Sequence, residues 1–370
     1  MILANPFTHD PRVFIEANSL IKAGHKITIL AWDKKRKEPA HEIKEGINIV
    51  RSFNTKFIDL LPFDILKLHF WWNKAFEDCL KLHYEKPFDI IHCHDLDTLK
   101  IGVKLKKKLG LPIIYDAHEI WGYMIERDIP KIWASYYLSL EKKLIRYVDW
   151  VVTVNEPLKR YFANITDKPI TIVMNCKPLI RTNYKKSDNK KFKIQYIGSL
   201  SKPRFLLELV DVIKEIPDIY CSIGGIGKQE YVNNLKSKCF GVKNVDFIGI
   251  VNMKDVIPMT QKADAIICMT SPDDPNNSRA TANKQFEAMV CGRPIICTKH
   301  TYPGEFTEKN EVGITVEFNK ESLKDAILNL KNNSKLCEEL GRNALKAAIE
   351  KYNWENQEKK LVRLYEDICR

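Results

Sequence analysis

The sequence of 370 residues has no segment typical of a membrane-spanning or exported protein. No apolar run approaches the roughly 20 residues that a spanning helix requires. The N-terminus has neither the basic lead nor the long apolar core of a secretory signal. We therefore expect a cytoplasmic protein whose contact with a membrane is at most peripheral, at the inner face.

Closely paired cysteines are also missing. Ten cysteines are scattered along the chain without a C-x-x-C pair, and several of them, such as Cys221, Cys268 and Cys297, lie in apolar runs. Cysteine in such a run behaves as a small hydrophobic residue. Because structural zinc sites usually show paired close spacings, we expect a reducing compartment and no metal ion.

The charge of the chain is basic but not concentrated. The formal net charge is +12, and neither half carries a dense basic tail. Nucleic-acid-binding proteins typically cluster their lysines and arginines on one stripe or tail. We therefore expect no nucleic-acid partner, and a phosphate-bearing ligand or an anionic membrane surface accounts for the excess charge.

The glycine motif of nicotinamide dehydrogenases is absent from both halves. Gly224, Gly225 and Gly227 follow a predicted strand, but a third glycine at the spacing of G-x-G-x-x-G is missing. A dehydrogenase is therefore disfavoured.

What the chain does contain is an alternation of apolar strands and amphipathic helices. Its length exceeds what one hydrophobic core usually serves, so two domains are expected. A short strand at residues 2–4 precedes a helix that Asp10 can cap, with Pro11 at its first position and Gly24 after its end. Such alternation is typical of an α/β protein with parallel sheets wrapped by helices.

A polar, turn-prone stretch divides the two halves. It lies between Cys176 and Lys191 and is followed by the first strand of a second sheet. We predict an N-terminal domain at 1–178, a linker at 179–191, a C-terminal domain at 192–352 and a final helix at 353–370.

Polar residues follow the predicted strands of the first half. Ligands of open parallel sheets bind beyond the carboxyl ends of the strands, so these residues mark a site. His92 and His94 are two residues apart and point to the same face of their strand, with Cys93 on the other. Two histidines on one face can share a metal ion, but no further ligand is evident nearby in sequence.

Six motifs carry a resemblance to a known family. In this order and spacing they resemble the retaining GT-B glycosyltransferases of family 4, and the likeness spans nearly the whole chain. The motifs are DIIHCHD at 89–95, YDAHE at 115–119, YIGSL at 196–200, GGIG at 224–227, VDFIG at 245–249 and FEAMVCGRPII at 286–296.

The resemblance implies two Rossmann-like domains that face a central cleft, with the C-terminal helix crossing back to the first domain. It implies a hexosyltransferase of polysaccharide or glycolipid biosynthesis that uses a nucleotide-diphosphate sugar as donor substrate. The C-terminal domain would bind the donor, and the N-terminal domain a glycan, lipid-linked or other hydroxyl acceptor. Transfer with retention, without metal and without a cofactor is likewise implied by the family alone.

The resemblance also implies the roles of individual residues. Arg204, with Lys202 nearby, matches the basic residue that holds the diphosphate, and His118 matches the histidine that contacts the donor sugar. The family's second arginine is replaced by Ser199, and we consider Lys284 its substitute. We therefore predict His118, Arg204 and Lys284 as catalytic residues.

The ribose-binding glutamate of the family corresponds to Glu287. The first glutamate of the same E-x7-E motif is replaced by Arg279, which puts the donor sugar in doubt. Asp273 and Asp274 precede it and can either substitute for the carboxylate or form a turn. The predicted donor-binding residues are Glu287, Gly198, Ser199, Lys202, Gly225, Arg279 and Asn283.

The acceptor side is predicted from the first half. Residues 57–84 mix apolar, aromatic and basic side chains, a mixture that can lie in a bilayer interface, and the ordinary alternative is a pair of core helices. The predicted acceptor-side residues are Asp10, Arg12, His94 and Asp95.

Two other functions remain open at this point. One is a nucleotide-sugar epimerase or hydrolase of the same fold. The other is a catalytically inactive nucleotide-binding protein, which Arg279 makes plausible.

Overall fold

The computed structural model describes residues 1–8, 10–126 and 129–369. The chain folds into two compact units, of which the first contains Met1–Val173 and the chain from Glu358 onward, and the second contains Met174–Gln357. Residues 179–191, predicted as a linker, lie within the second unit. Among the described residues, no helix is both long and apolar enough to cross a bilayer.

The first unit is an eight-stranded sheet with helices. Its strands are β1 (Ile2–Leu3), β2 (Thr28–Trp32), β3 (His41–Lys44), β4 (Ile47–Ser52), β5 (Ile91–His94), β6 (Ile113–Ala117), β7 (Trp150–Thr153) and β8 (Ile170–Ile172). Its helices are α1 (Pro11–Lys22), α2 (Lys56–Asp59), α3 (Asp64–Glu85), α4 (Leu96–Leu109), α5 (Trp121–Ile125), α6 (Lys131–Leu144) and α7 (Glu156–Ala163).

The order of the strands in this sheet is β3-β4-β2-β1-β5-β6-β7-β8, and every pair is parallel except β3 with β4. The connections run outward in opposite directions from β1 and β5. Crevices that bind ligands in such sheets open at this reversal, beyond the carboxyl ends of the strands. The loop after β1 and the residues that follow β5 are therefore the place for a site in this unit.

Helix α1 begins where the sequence predicts it. The Asp10 side chain accepts a hydrogen bond from the backbone N–H of Val13 at 3.4 Å, and Pro11 is the first helical residue. Val13, Ala17 and Leu20 are buried on its inner face.

The second unit has six strands, all parallel. Its strands are β9 (Phe192–Leu200), β10 (Ile219–Gly227), β11 (Val245–Gly249), β12 (Ala265–Cys268), β13 (Ile295–Thr298) and β14 (Gly313–Val316). Its helices are α8 (Leu206–Lys214), α9 (Gln229–Cys239), α10 (Met253–Gln261), α11 (Asn283–Cys291), α12 (Tyr302–Lys309), α13 (Lys320–Asn332) and α14 (Ser334–Glu350).

The order of the strands here is β11-β10-β9-β12-β13-β14. The direction of the connections reverses between β9 and β12, so the carboxyl ends of these two strands mark the crevice of this unit. The last helix, α15 (Trp354–Cys369), begins in the second unit, and its residues from Glu358 onward belong to the first.

A buried glutamate in the first unit gives its stability a pH dependence. Glu141 accepts hydrogen bonds from the hydroxyls of Tyr115 at 2.6 Å and Tyr161 at 3.0 Å. Burial raises the pKa of Glu141 to about 7, although both hydroxyls lower it. The folded state therefore binds a proton that the unfolded chain releases, and stability falls as the pH rises from the unfolded value of 4.5 through about 7.

Glu141→Gln is expected to gain stability relative to the parent protein between pH 5 and pH 8, by about 2–3 kcal/mol, because the amide carries no charge to bury. Urea unfolding at both pH values, followed by tryptophan fluorescence, measures this gain. Glu85→Gln replaces an exposed glutamate of the same unit and serves as the control. A gain for Glu141→Gln that is the same at both pH values would show that Glu141 is ionised in the folded state.

Candidate active site

Two glycines bring the ends of β9 and β10 together in the second unit. Gly198 and Gly225 are register partners, and a Cβ on Gly225 would lie 1.7 Å from the carbonyl oxygen of Gly198. Residue 225 must therefore be glycine. An ideal Cβ on Gly198 would lie 3.0 Å from the Lys284 ammonium nitrogen, so the glycine leaves room for that group. The structure thus brings together three residues that the sequence analysis predicted for the donor side.

The Lys284 ammonium group is unusually placed for a lysine. The residue is only 8% exposed, and its Nζ lies 4.5 Å from the centroid of the Tyr196 ring. Within the part of the chain that the structure describes, no carboxylate forms an ion pair with it. A ring face attracts a cation but carries no net charge, so the positive charge is not neutralised.

Arg204 ends a 3₁₀ turn at Lys202–Arg204 after β9. Its Nη2 donates a hydrogen bond of 2.7 Å to Oδ1 of Asn277, and its Nε is buried without a hydrogen-bond partner. Among the described residues no carboxylate pairs with this guanidinium either. Arg204 is therefore held in place by a neutral group, which leaves its charge available to an anion.

The partner of Arg204 lies in the loop after β12. The Asn277 Nδ2 donates to Oδ2 of Asp274 at 2.9 Å, and Oδ1 of Asp274 accepts the backbone N–H groups of Asn276 and Asn277. Asp274 thus forms a turn, the second of the two roles that the sequence left open for it.

Several neighbouring groups shift the pKa of the Cys268 thiol, which lies at the end of β12. A hydrogen bond with Cys297 lowers the pKa of Cys268 to about 7, against the effect of burial. Lys284 and Arg204 lower it further, and Glu287 raises it. Two cations and one carboxylate therefore act on the same strand end, at the reversal point of this sheet.

Helix α11 adds a further positive group at this place. The residue before it, Ala282, offers no side-chain cap, and Lys284 is its second residue. Instead, the Oε1 of Gln285 accepts a hydrogen bond of 3.2 Å from the backbone N–H of Ala282, which fixes the residue before the helix. An uncapped helix N-terminus attracts anions through its free N–H groups and the helix dipole.

Of the remaining donor-side predictions, Glu287 is paired with a lysine and the others are exposed. Glu287 forms an ion pair with Lys177 at 3.4 Å between Oε1 and Nζ, so a nucleotide ribose would share this carboxylate with a lysine. Arg279 is exposed and its Nη1 donates to the carbonyl oxygen of Pro275. Lys202, Ser199 and Asn283 are also exposed.

Asp116 is the centre of the polar cluster in the first unit. Its Oδ2 lies 3.4 Å from Nε2 of His92, 3.2 Å from Nδ1 of His94 and 3.2 Å from Nε2 of His118. All four residues are at least 96% buried. Burial lowers the pKa of His118, but the charge of Asp116 outweighs it and raises that pKa.

The position of His118 is also fixed through its backbone. Its N–H donates to Oδ1 of Asp95 at 3.1 Å. Asp95 has a φ of 60°, a conformation that residues other than glycine adopt at a cost of about 1–3 kcal/mol and that is concentrated at functional sites. His92 and His94 face the same side of β5, as predicted.

The other acceptor-side predictions lie at the same end of the sheet. Asp10 forms an ion pair with Arg12 at 3.6 Å and accepts a hydrogen bond from Asn5 at 3.0 Å. Burial raises the pKa of Asp10, yet the charges of Arg12 and His118 outweigh this and lower it. His94 is 3% exposed, so it lies beneath the surface on which an acceptor would bind. The acceptor-side roles of these residues stay predictions.

Comparison with known proteins decides the family. The model for glycosyl transferases group 1 matches residues 181–347, and the model for glycosyltransferase family 4 matches residues 13–176. The chain is a family 4 glycosyltransferase. Together the two models account for both units.

This family 4 glycosyltransferase is similar along its length to proteins of other organisms. It is 24% identical to an uncharacterized glycosyltransferase of Methanocaldococcus jannaschii over 94% of this chain and 91% of the relative. It is 25% identical to a probable sucrose-phosphate synthase of Thermosipho melanesiensis over 95% of this chain and 88% of the relative.

Solved structures show the same GT-B fold. Sucrose-phosphate synthase from Thermosynechococcus elongatus has a TM-score of 0.83 at 15% identity, covering 100% of this chain and 98% of that one. Anabaena HepE in complex with UDP-glucose has a TM-score of 0.74 at 15% identity, covering 99% of both chains. The α/β fold class with two parallel-sheet domains is therefore confirmed.

Four residues of this glycosyltransferase escaped the sequence analysis. Asn277 holds Arg204, Tyr196 lies under Lys284, and Tyr365 donates or accepts a hydrogen bond of 2.7 Å at Nδ1 of His92. Glu16 is 3% exposed on the inner face of α1. Of these four, only Glu16 could have been noticed from the sequence, because a glutamate among the apolar positions of a helix is unexpected.

The segment 57–84 of the glycosyltransferase contains a helix packed in the core and a stretch of exposed apolar side chains. Helix α3 buries Leu68, Trp71, Trp72, Ala75 and Cys79 in the core of the first unit. The residues around its start are exposed instead: Phe57 by 79%, Leu60 by 81%, Phe63 by 64% and Phe70 by 51%.

Proposed function

We propose that this glycosyltransferase moves a hexosyl group from a nucleoside diphosphate sugar to a hydroxyl acceptor, with retention of the anomeric configuration. The observation that carries the proposal is the pair of cations, Lys284 and Arg204, that lack a carboxylate partner among the described residues beside the uncapped start of α11. A buried charge such as that of Lys284 is normally paired, so its lack of a carboxylate beside Arg204 supports an anionic ligand.

A departing nucleoside diphosphate is the anion that this arrangement suits. Negative charge develops on the leaving diphosphate as the bond to the sugar breaks, and fixed donors aimed at that charge lower the barrier. A guanidinium binds two phosphate oxygens at once, and an ammonium group acts as a point charge. Arg204 therefore orients the diphosphate, and Lys284 stabilises the charge that forms on it.

The part of the proposal that concerns the donor sugar rests on His118 and Asp116. Among the described residues, Nδ1 of His118 is buried without a hydrogen-bond partner. Nδ1 is thus the atom proposed to form a hydrogen bond with a sugar hydroxyl, while Nε2 lies 3.2 Å from the carboxylate of Asp116.

The replacement of the family glutamate by Arg279 bears on the donor sugar. Arg279 is exposed, and its loop is held by hydrogen bonds to Asp274. We propose that sugar recognition is rebuilt here and that the residue at 279 selects among donors. UDP-glucose is the first donor to test, because HepE, which shares the fold, has been crystallised with it.

The experiment that tests the function is an assay of the purified protein with a panel of nucleoside diphosphate sugars. A supporting result is transfer to an acceptor, or slow hydrolysis, of at least one donor. Conversion of the free donor to an epimer would instead support an epimerase. Nucleotide binding without turnover of any donor would support a catalytically inactive binding protein.

Transfer is expected to proceed at the same rate with and without added manganese or magnesium ions, because Lys284 and Arg204 supply the positive charge at the diphosphate. Initial rates in a buffer with a chelator, compared with rates in saturating manganese, measure this. An absolute requirement for an added divalent ion would contradict the assignment of the two side chains.

We further propose that the exposed apolar side chains of α2 and of the loop between α2 and α3 bind the membrane interface that carries a lipid-linked acceptor. In a flotation assay with vesicles that contain an anionic lipid, we expect the protein to be recovered in the lipid fraction. The triple change Phe57→Ser, Leu60→Ser and Phe63→Ser should reduce binding by more than about tenfold, since each buried side chain contributes roughly 1.5–3 kcal/mol.

Phe240→Ser is the control for this experiment, because Phe240 is 90% exposed in the second unit. It should leave flotation unchanged. Equal binding by the triple variant and the parent protein would contradict the membrane proposal, and so would the absence of binding by the parent protein.

A further inference from the structure

Four buried side chains of the first unit bring potential metal ligands together. They come from the inner face of α1, the end of β5 and the adjacent strand β6. One ligand atom from each lies within 4.8 Å of all the others. The residues are Glu16, His92, His94 and Asp116.

These side chains are not satisfied by the protein around them. Within the described residues, Nε2 of His94 makes no hydrogen bond, and the same holds for Oδ1 of Asp116 and Oε2 of Glu16. Leaving a buried polar atom unpaired costs about 1–3 kcal/mol, and more for a charged group. Several such atoms at one point therefore call for a shared partner.

The distances within the group match a coordination sphere. Asp116 Oδ2 lies 3.4 Å from His92 Nε2 and 3.2 Å from His94 Nδ1. Two ligands of a tetrahedral zinc ion, each about 2.0–2.1 Å from the metal, lie about 3.3–3.4 Å apart. These two separations are compatible with a central ion, and the four ligand atoms all lie within 4.8 Å of one another.

A second contact orients one of the histidines. Nδ1 of His92 is 2.7 Å from the hydroxyl of Tyr365 on α15, which leaves Nε2 facing the group. Histidine ligands are typically held in this way, with the ring nitrogen that does not bind the metal engaged in a hydrogen bond.

The charges also fit. Glu16 and Asp116 place two carboxyl groups at one buried point. A divalent cation would balance both charges.

We propose that Glu16, His92, His94 and Asp116 bind one zinc ion. Imidazole nitrogens and carboxylate oxygens are ligands that zinc accepts, and four protein ligands form a closed, structural site. The ion ties α1 to the ends of β5 and β6 and so fixes Asp116 beside His118. This changes the expectation of a chain without metal, which was formed because the cysteines show no paired close spacing and no further ligand is evident in sequence near the two histidines.

The proposal is independent of the donor site, which lies in the second unit. Because the four ligands are at least 97% buried, a brief exposure to chelator in a transfer assay leaves the ion in place. Failure of the zinc proposal therefore has no bearing on Arg204 and Lys284.

The test is metal binding by the full chain, purified without an affinity tag and dialysed exhaustively against a chelator. Titration with zinc, in competition with a chromophoric chelator, is expected to show one tightly bound ion per chain. Cobalt in its place should give the visible absorption bands of a tetrahedral site. Glu16→Gln and His94→Gln should each weaken zinc binding by more than roughly 100-fold. Loss of a residue that only supports a ligand costs up to about 100-fold, and loss of a direct ligand should cost more.

His300→Gln is the matched control, since His300 is an exposed histidine 3.6 Å from Glu317 in the second unit. It should bind zinc as the parent protein does. Nucleoside diphosphate binding and the far-ultraviolet circular dichroism spectrum show that each variant is folded. Absence of tight zinc binding by the parent protein, an octahedral cobalt spectrum, or equal affinity in folded Glu16→Gln would each overturn the proposal.

Discussion

Lys284→Met is expected to slow sugar transfer by about 100- to 1000-fold, the loss typical when one fixed donor to a developing negative charge is removed. Methionine keeps the length of the buried stem beside Tyr196 and removes the charge next to Gly198. The effect should appear mainly in kcat, because the charge on the leaving diphosphate develops as the bond breaks. Steady-state kinetics with the donor identified in the panel measures it.

The control for Lys284 is Lys324→Met. Lys324 lies on α13 and pairs with Glu215 at 2.6 Å on the surface. This change should leave kcat within about twofold of the parent value, as expected for an exposed ion pair. If Lys284→Met raised KM and left kcat unaltered, Lys284 would bind donor without stabilising the leaving group.

Arg204→Ala is expected to weaken binding of a nucleoside diphosphate by roughly 10- to 150-fold, which corresponds to about 1.5–3 kcal/mol for a charge-assisted hydrogen bond. Binding of the corresponding nucleoside should be almost unchanged, because it has no phosphate for the guanidinium to contact. Calorimetric titration of both ligands measures the difference.

Arg342→Ala is the matched control for this change. Arg342 is an exposed arginine of α14 that pairs with Glu338 four residues earlier. Its removal should affect neither ligand. An equal loss of diphosphate and nucleoside binding in Arg204→Ala would mean that Arg204 supports the loop through Asn277 and does not bind phosphate.

The fold was predictable from sequence because its signals are local. The Asp10 cap and Pro11 set the start of α1, and continuous apolar runs set β12 and β13. Strands β3 and β8 give weaker signals, because β3 is mostly exposed and β8 is short and only half-buried. Such strands lack the apolar pattern on which prediction depends.

The candidate site was predictable only in part, since its partners are distant in the chain. Lys284 and Arg204 follow from the family pattern, but Asn277 is 73 residues from Arg204. His92 and Tyr365 are separated by 273 residues. Spacing along the chain carries no information about contacts of this kind. They arise from the order of the strands and from the course of α15.

The same limit explains the expectation about metal. His92 and His94 can be identified from sequence as a possible pair of ligands, but no further ligand lies near them along the chain. Asp116 is adjacent because β5 and β6 are parallel partners in which His94 pairs with Asp116. Glu16 joins them from α1, which precedes both strands by many residues.

The central claim is that the cations at the carboxyl ends of β9 and β12 bind the diphosphate of a nucleotide sugar. The most direct measurement is a crystal structure of the protein with a nucleoside diphosphate bound. Phosphate oxygens are expected within about 2.7–2.9 Å of the Arg204 guanidinium and the Lys284 ammonium group, with the start of α11 facing them. A diphosphate bound elsewhere, with neither cation in contact, would contradict the account.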